Sequence, residues 1–198
     1  PIAAPDSQQW SQITAASDEY RHVSVTGTFL YALTVRVKAV TELGGGFWLL
    51  TPLQSEDGSV VLVNRGFVPT KAGAQYDRPD YVVPGDVTVT GLLRMTEPSG
   101  GFLRDNDPAA NLWYSRDVAA IAAARGLSKA APYFVDADAA KSASGLLSNY
   151  PIGGMTVIAF KNNHLVYALT WYALALMVAG VCFWLMRDKR RLLRDDDR

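Results

Sequence analysis

Between His22 and Phe29 the chain alternates as HVSVTGTF, with Val23 and Val25 on one face and polar residues on the other, the period-two pattern of a strand. YALTVRVKAV repeats it, setting Leu33, Val35 and Val37 against Thr34, Arg36 and Lys38. GGGFWLLTPL and VVLVNRGFVP are compact apolar runs that read as two further strands. The Asp57-Gly58 pair between them tolerates positive φ and so predicts a hairpin turn. VTVTGLLR, residues 87–94, alternates again and makes a fifth strand. APYFVDA and MTVIAF close the series, separated by an Ala/Ser/Gly-rich segment. The stretches 71–86 and GFLRDNDPAANLWYS lack a sustained period and read as loops, with a turn at Asp107-Pro108. One soluble helix is predicted from about Arg116 to Arg125, where Val118, Ile121 and Ala122 share a face. Ser115 is its expected cap and Gly126 its stop. Strands and helices do not alternate, which argues against a parallel α/β sheet. The expected fold is α+β, a mainly antiparallel barrel-like or sandwich domain carrying one amphipathic helix.

A different pattern takes over near the end. From Leu165 to Met186 the chain runs LVYALTWYALALMVAGVCFWLM with no formal charge. At about 1.5 Å per residue this reaches roughly 33 Å, enough to cross a bilayer core of about 30 Å. RDKRRLLR follows, with Arg187, Lys189, Arg190, Arg191 and Arg194 against one acid, Asp188. Basic flanks favour the cytoplasmic side, so the tail is expected inside and the β domain outside, as in a bacterial inner membrane with a periplasmic domain or, second, a mitochondrial inner membrane. The expected organisation is a linker over 1–20, an extracytoplasmic domain over 21–163, a transmembrane helix over 164–186 and a basic cytoplasmic tail over 187–198. The Pro/Ala-rich opening PIAAPD reads as a linker leaving a membrane, after either a cleaved signal peptide or a first membrane helix.

Composition narrows the chemistry. The 198 residues balance to zero formal charge, and no basic patch outside the tail marks a nucleic-acid surface. The single cysteine, Cys182, lies within the apolar run, so no internal disulfide or thiolate cluster can form. Nucleophile-elbow, phosphate-loop, haem-attachment and zinc-helix motifs are absent, and no catalytic residue is assigned. The glycines of GGGFW lack phosphate-loop spacing and read as close strand packing. Asp105, Asp107 and Asp117 sit in turn and helix-start contexts where acids are ordinary.

Of the two histidines, His22 opens a strand and reads as a strand-edge residue. His164 follows the capping residues Asn162 and Asn163 at the outer mouth of the apolar helix, where the helix N-terminus favours a neutral ring able to ligate a metal. Tyr167, Ala168, Trp171 and Ala175 lie on its side of the helix, aromatic rings around a small-residue groove suited to a flat apolar ligand such as haem. The same aromatics equally suit an interfacial anchor. Ala168, Ala175, Ala179 and Gly180 leave room for a neighbouring helix. Arg65, between an apolar strand and Gly66, can clamp a haem propionate or a partner's acid, or hold a structural salt bridge.

GFWLLTPL, VLVNRGFVP, GLLR with NDPAANLWYSRD, and NNHLVYALTWYALA occur in that order, and with them the chain resembles the surfeit locus protein 1 family, assembly factors for haem–copper terminal oxidases. The resemblance covers about Val23 to Leu176. Phe67 and Tyr172 stand where many relatives carry Trp and Phe, keeping an aromatic at each place. The resemblance implies two membrane helices around an extracytoplasmic domain, hence a first helix ahead of Pro1, and oxidase subunits and lipid as partners. It also implies transient haem handling with His164 as candidate ligand, the only metal contact expected. On this reading the protein assists haem insertion or subunit maturation; the alternative is a stable accessory subunit of a cytochrome c or quinol oxidase without its own cofactor.

Overall fold

The computed structural model describes residues 1–70, 83–101, 104–139, 151–156 and 164–195. The chain divides into two compact units, residues 1–156 and 157–198.

The first unit is organised on a seven-stranded sheet: β1 Ile2–Ala3, β2 His22–Phe29, β3 Val35–Thr41, β4 Gly44–Gln54, β5 Val60–Pro69, β6 Asp86–Met95 and β7 Ala130–Ala137, in the order β1-β2-β6-β7-β5-β4-β3. The end of β2 also pairs with the end of β4, Thr28 opposite Gln54 and Phe29 opposite Leu53, which closes the middle strands into a barrel. Closure depends on Gly27, where a Cβ would overlap the Gln54 carbonyl.

The barrel is mainly antiparallel, as expected, but β5–β7 and β1–β2 pair in parallel. Alternation reports which face a residue occupies and carries nothing about strand direction, so the pattern alone could not expose these two pairings.

Two cores explain the two kinds of strand. Val23, Val25, Leu53, Val61, Val63, Leu93, Tyr133 and Val135 come from every barrel strand and fill its interior. Val35, Val37, Leu50, Leu62 and Phe134 point to the opposite face, where Trp113 and the helix α2, Val118–Ala124, cover them through Val118 and Ile121. Strands β5 and β7 are thus buried on both faces and read as continuous apolar runs, whereas β2 alternates.

Several expectations are corrected. The cap of α2 is Asp117, whose carboxylate accepts from the Ala120 amide at 3.1 Å, while Ser115 accepts from the Gly100 amide and Asn106 instead. Residues 1–20 do not run as a free linker. They form β1, a short helix α1 over Ala15–Asp18 and a 3-10 turn, and Ala4, Trp10 and Ile13 cover the barrel core. The Pro5 carbonyl is held by both the Tyr133 hydroxyl, at 2.8 Å, and the Trp10 indole, at 3.1 Å. Of the three glycines opening β4, only Gly46 packs closely, against Phe67 and the Val68 carbonyl; Gly44 and Gly45 border open space. The last expected strand, MTVIAF, begins with Met155 and Thr156, which are not in a strand, and its remainder lies outside the described residues.

The second unit is the helix α3, His164–Asp195. Its window Ala168–Leu185 has mean hydropathy 1.9 and is exposed throughout, long and apolar enough to cross a membrane.

Candidate functional site

The segment Asn64-Arg65-Gly66 is a bulge. Trp48 of β4 faces Phe67 and Leu50 faces Asn64, so Leu49 alone stands opposite both Arg65 and Gly66. Gly66 has φ of 132°, closed to ordinary side chains, and its amide donates to the Asn64 side-chain carbonyl at 3.2 Å. The extra residue turns Arg65 out of the pleat. Its guanidinium stacks 4.8 Å from the Tyr31 ring centroid and 5.4 Å from that of Phe29. Burial pulls this guanidinium below its ordinary value, an effect the Tyr31 phenol opposes.

The other end of the Asn64 side chain reaches a buried carboxylate. Its Nδ2 donates to Asp136 Oδ1 at 2.8 Å. Arg116 donates to both Asp136 oxygens, at 3.2 and 3.4 Å, and Arg94 to Oδ2 at 3.1 Å; the Thr156 hydroxyl completes the set at 2.7 Å. Asp136 is 4% exposed and shares the Leu62 and Phe134 face of the sheet, beneath Arg116. Two guanidiniums and two neutral donors thus surround this buried carboxylate, supplying the partners that a buried polar group needs.

The cluster continues outward. Arg116 also pairs with Glu97, and Arg94 with Glu19 at 3.3 Å. Burial would push Glu97 up, yet the bound Arg116 guanidinium holds it below the ordinary carboxylate range. For Arg116, burial works downward, but the hydrogen bonds it donates to Glu97 and the Asp136 charge raise it above its ordinary value. The rings of Tyr20 and Phe134 each lie 4.7 Å from a guanidinium, Arg94 and Arg116 respectively. Tyr20 reaches Arg94 from a left-handed backbone with φ of 66°.

Thr156 belongs to a strap, residues 151–156, laid across the bulge. Phe67 and Ile152 exchange two backbone hydrogen bonds of 2.9 Å, and the Gly154 amide donates to the Ala137 carbonyl at 2.9 Å. Residues 157–163 separate Thr156 from α3 in the sequence.

The other expected site residues sit as follows. His164 opens α3, and the side chains of His164 and Tyr167 lie outside the described residues; Trp171 lies on the same helix, 70% exposed. Arg65 belongs to the first unit and Trp171 to the second. His22 is held by Asp138, with 2.7 Å between Nε2 and Oδ2. Among the described residues no group of His, Cys, Asp or Glu is arranged to hold a metal ion. Asp136, Arg94 and Arg116 were not expected in a site. The available signal was a lone acid inside the apolar run YFVDA and an arginine ending an alternating strand.

The blocks VNRG, GLLR and YSRD, far apart in sequence, thus meet through Asn64, Arg94 and Arg116 on one carboxylate. The SURF1 family model matches residues 1–176. The chain belongs to the SURF1 family. Surfeit locus protein 1 of Mus musculus is 36% identical over 189 residues, covering 87% of this chain and 59% of the relative. The Homo sapiens protein of that name is 36% identical over 182 residues, covering 83% and 58%. A SURF1-like protein of Monosiga brevicollis is 36% identical over 181 residues, covering 85% and 67%. The chain therefore spans about three fifths of the length of these two mammalian relatives. This family membership joins a barrel with a strapped, charge-centred bulge to one long apolar helix.

Proposed function

We propose that this chain is an assembly factor for a haem–copper terminal oxidase. The helix α3 anchors it in an inner membrane, with the basic tail from Arg187 on the cytoplasmic side and the barrel on the other. It engages the oxidase through the helix and the barrel and assists haem insertion or subunit maturation, without turning over a substrate. Membership of the SURF1 family carries this reading. The uncharged run of α3 and the cations after it support the orientation.

Haem is cargo in this scheme, and the donor chemistry bears on where it is held. The one histidine of the barrel, His22, is engaged by Asp138. Among the described residues, the cavity beside β3 is lined without histidine, cysteine or methionine. The axial ligand in this reading is His164, the residue the family resemblance implies, with the helix positions Tyr167 and Trp171 beside it. Arg65, half-buried against two aromatic rings in the barrel, serves the bulge first, and a propionate contact there is the secondary role.

The full chain in detergent is expected to take up haem with a Soret shift that His164→Ala abolishes. An unchanged spectrum in that variant removes the ligand assignment. Pulling the chain down with active oxidase separates a transient factor, recovered below stoichiometry, from a permanent accessory subunit, recovered one to one.

A further inference from the structure

The far end of the β3–β4 hairpin carries a feature that the bulge and α3 leave unused. A cavity of about 370 Å³ opens there, with Lys38, Val40, Phe47, Thr70, Arg104 and Tyr114 on its walls. Both cations approach one aromatic ring: Lys38 Nζ is 5.1 Å and Arg104 Cζ 5.5 Å from the Tyr114 centroid. Among the described residues neither has an ion-pair partner. Both side chains are exposed, so this end of the barrel presents positive charge to solvent, where an anion is attracted.

The backbone presets the arrangement. The Lys38 amide donates to the Trp113 carbonyl at 2.9 Å, and Arg104 is fixed by a reciprocal pair with Gly101 at 2.8 and 3.2 Å. Asn106 accepts from the Tyr114 amide at 2.8 Å, and the Thr70 hydroxyl donates to the Gly45 carbonyl at 3.1 Å. Beside this cationic cleft the hairpin displays apolar side chains to solvent: Val40 is 87% exposed and Leu43 51%. Gly44 and Gly45 leave the space next to them open. An apolar tip beside two exposed cations matches a molecule with a negative headgroup above hydrocarbon.

We infer that this hairpin end binds an anionic phospholipid, with Lys38 and Arg104 on the phosphate, Tyr114 under it, and Val40 and Leu43 in the acyl boundary. The inference rests on the reading of α3 as a membrane anchor, and it assigns the barrel a second contact with the same bilayer.

The test uses the full chain with Cys182→Ser and Leu43→Cys, labelled at residue 43 with an environment-sensitive fluorophore and reconstituted into nanodiscs. Discs of phosphatidylcholine alone are compared with discs containing phosphatidylglycerol. A blue shift in the anionic discs is expected. Replacing either cation, in Lys38→Gln or Arg104→Gln, should weaken the response about fivefold, and salt should weaken it further. Both side chains are peripheral to the two cores, and an unchanged melting curve confirms folding of the variants. Equal emission in both disc types overturns the inference, as does a shift indifferent to both Gln variants. Saturable binding of inorganic phosphate by the detergent-solubilised chain, without a shift in anionic discs, makes the site one for a free anion and overturns the lipid assignment. Co-elution with discs is scored separately: a chain that fails to co-elute refutes the anchor, whereas one that co-elutes without a shift refutes only this site.

Discussion

The Thr156 hydroxyl donates to Asp136 Oδ2 across 2.7 Å, tying the strap that precedes the apolar helix to a carboxylate buried beneath Arg116. The same carboxylate gathers Asn64, Arg94 and Arg116 from three other parts of the chain. One acid therefore joins the bulge, two strands, the approach to α2 and the strap. Removing it is expected to cost more than removing any of its neutral partners. Asp136→Asn leaves two guanidiniums without their shared counter-charge and should destabilise the barrel by about 3 kcal/mol, a fall in Tm of roughly 10 °C. Thr156→Val loses one charge-assisted bond, about 2 kcal/mol, and should speed amide exchange at Gly154 more than at Val63. Equal melting of the two variants would show that Asp136 is not the centre of the cluster.

Gly66 and Gly44 make a controlled pair. Both have positive φ, 132° and 95°, so alanine strains the backbone at either position by about 1–3 kcal/mol. Only at Gly66 would the new Cβ strike the Ile152 carbonyl and the strap; at Gly44 it meets nothing. Gly66→Ala should therefore melt well below Gly44→Ala and lose protection at Phe67 and Ile152 in hydrogen exchange. Matching protection in the two variants would mean that the strap does not depend on the bulge.

Asp18, Asp57, Glu97 and Asp138 all titrate below the ordinary carboxylate range, and two of them make clear tests of the acid limb of stability. Glu97 is held below its ordinary value of 4.5, burial being outweighed by Arg116. Its contribution is complete above that value and is lost as pH falls through the lowered one. Asp57 accepts from the Ser59 hydroxyl and amide and from Lys129, which lower it from 3.8 to about 2. Its contribution is complete above pH 3.8 and lost toward pH 2. Glu97→Gln should accordingly flatten the fall of Tm with pH below about 4.5, and Asp57→Asn the fall between about 4 and 2. A slope unchanged in both would place the acid sensitivity elsewhere.

Much of the barrel was legible in the residues. Val23 and Val25 alternate because β2 has one buried face, and Val60 to Val63 run together because β5 has two. Val118 and Ile121 announced the face that α2 lays over the sheet, and Gly126, with φ of 68°, marked its end. The site was less legible. Asn64, Arg65 and Gly66 stood out as a polar break in an apolar strand, but the same letters fit a simple strand end. Nothing local distinguishes the buried carboxylate of Asp136 from a solvated one. Its partners lie 72, 42, 20 and 20 positions away.

What the sequence determined by itself is therefore whatever depends on neighbours a few residues apart: the strands, the short helix, the Asp-Gly turn and the uncharged run of α3. Periodicity and hydropathy act at that range, so the pattern reports them directly. The tertiary structure alone decided the parallel pairing of β5 with β7, the β2–β4 closure, the packing of residues 1–20 on the core, and the meeting of Arg94 and Arg116 on Asp136. Each of these joins segments distant in the chain, and which partner a strand edge or a buried charge takes is settled only when the whole barrel closes.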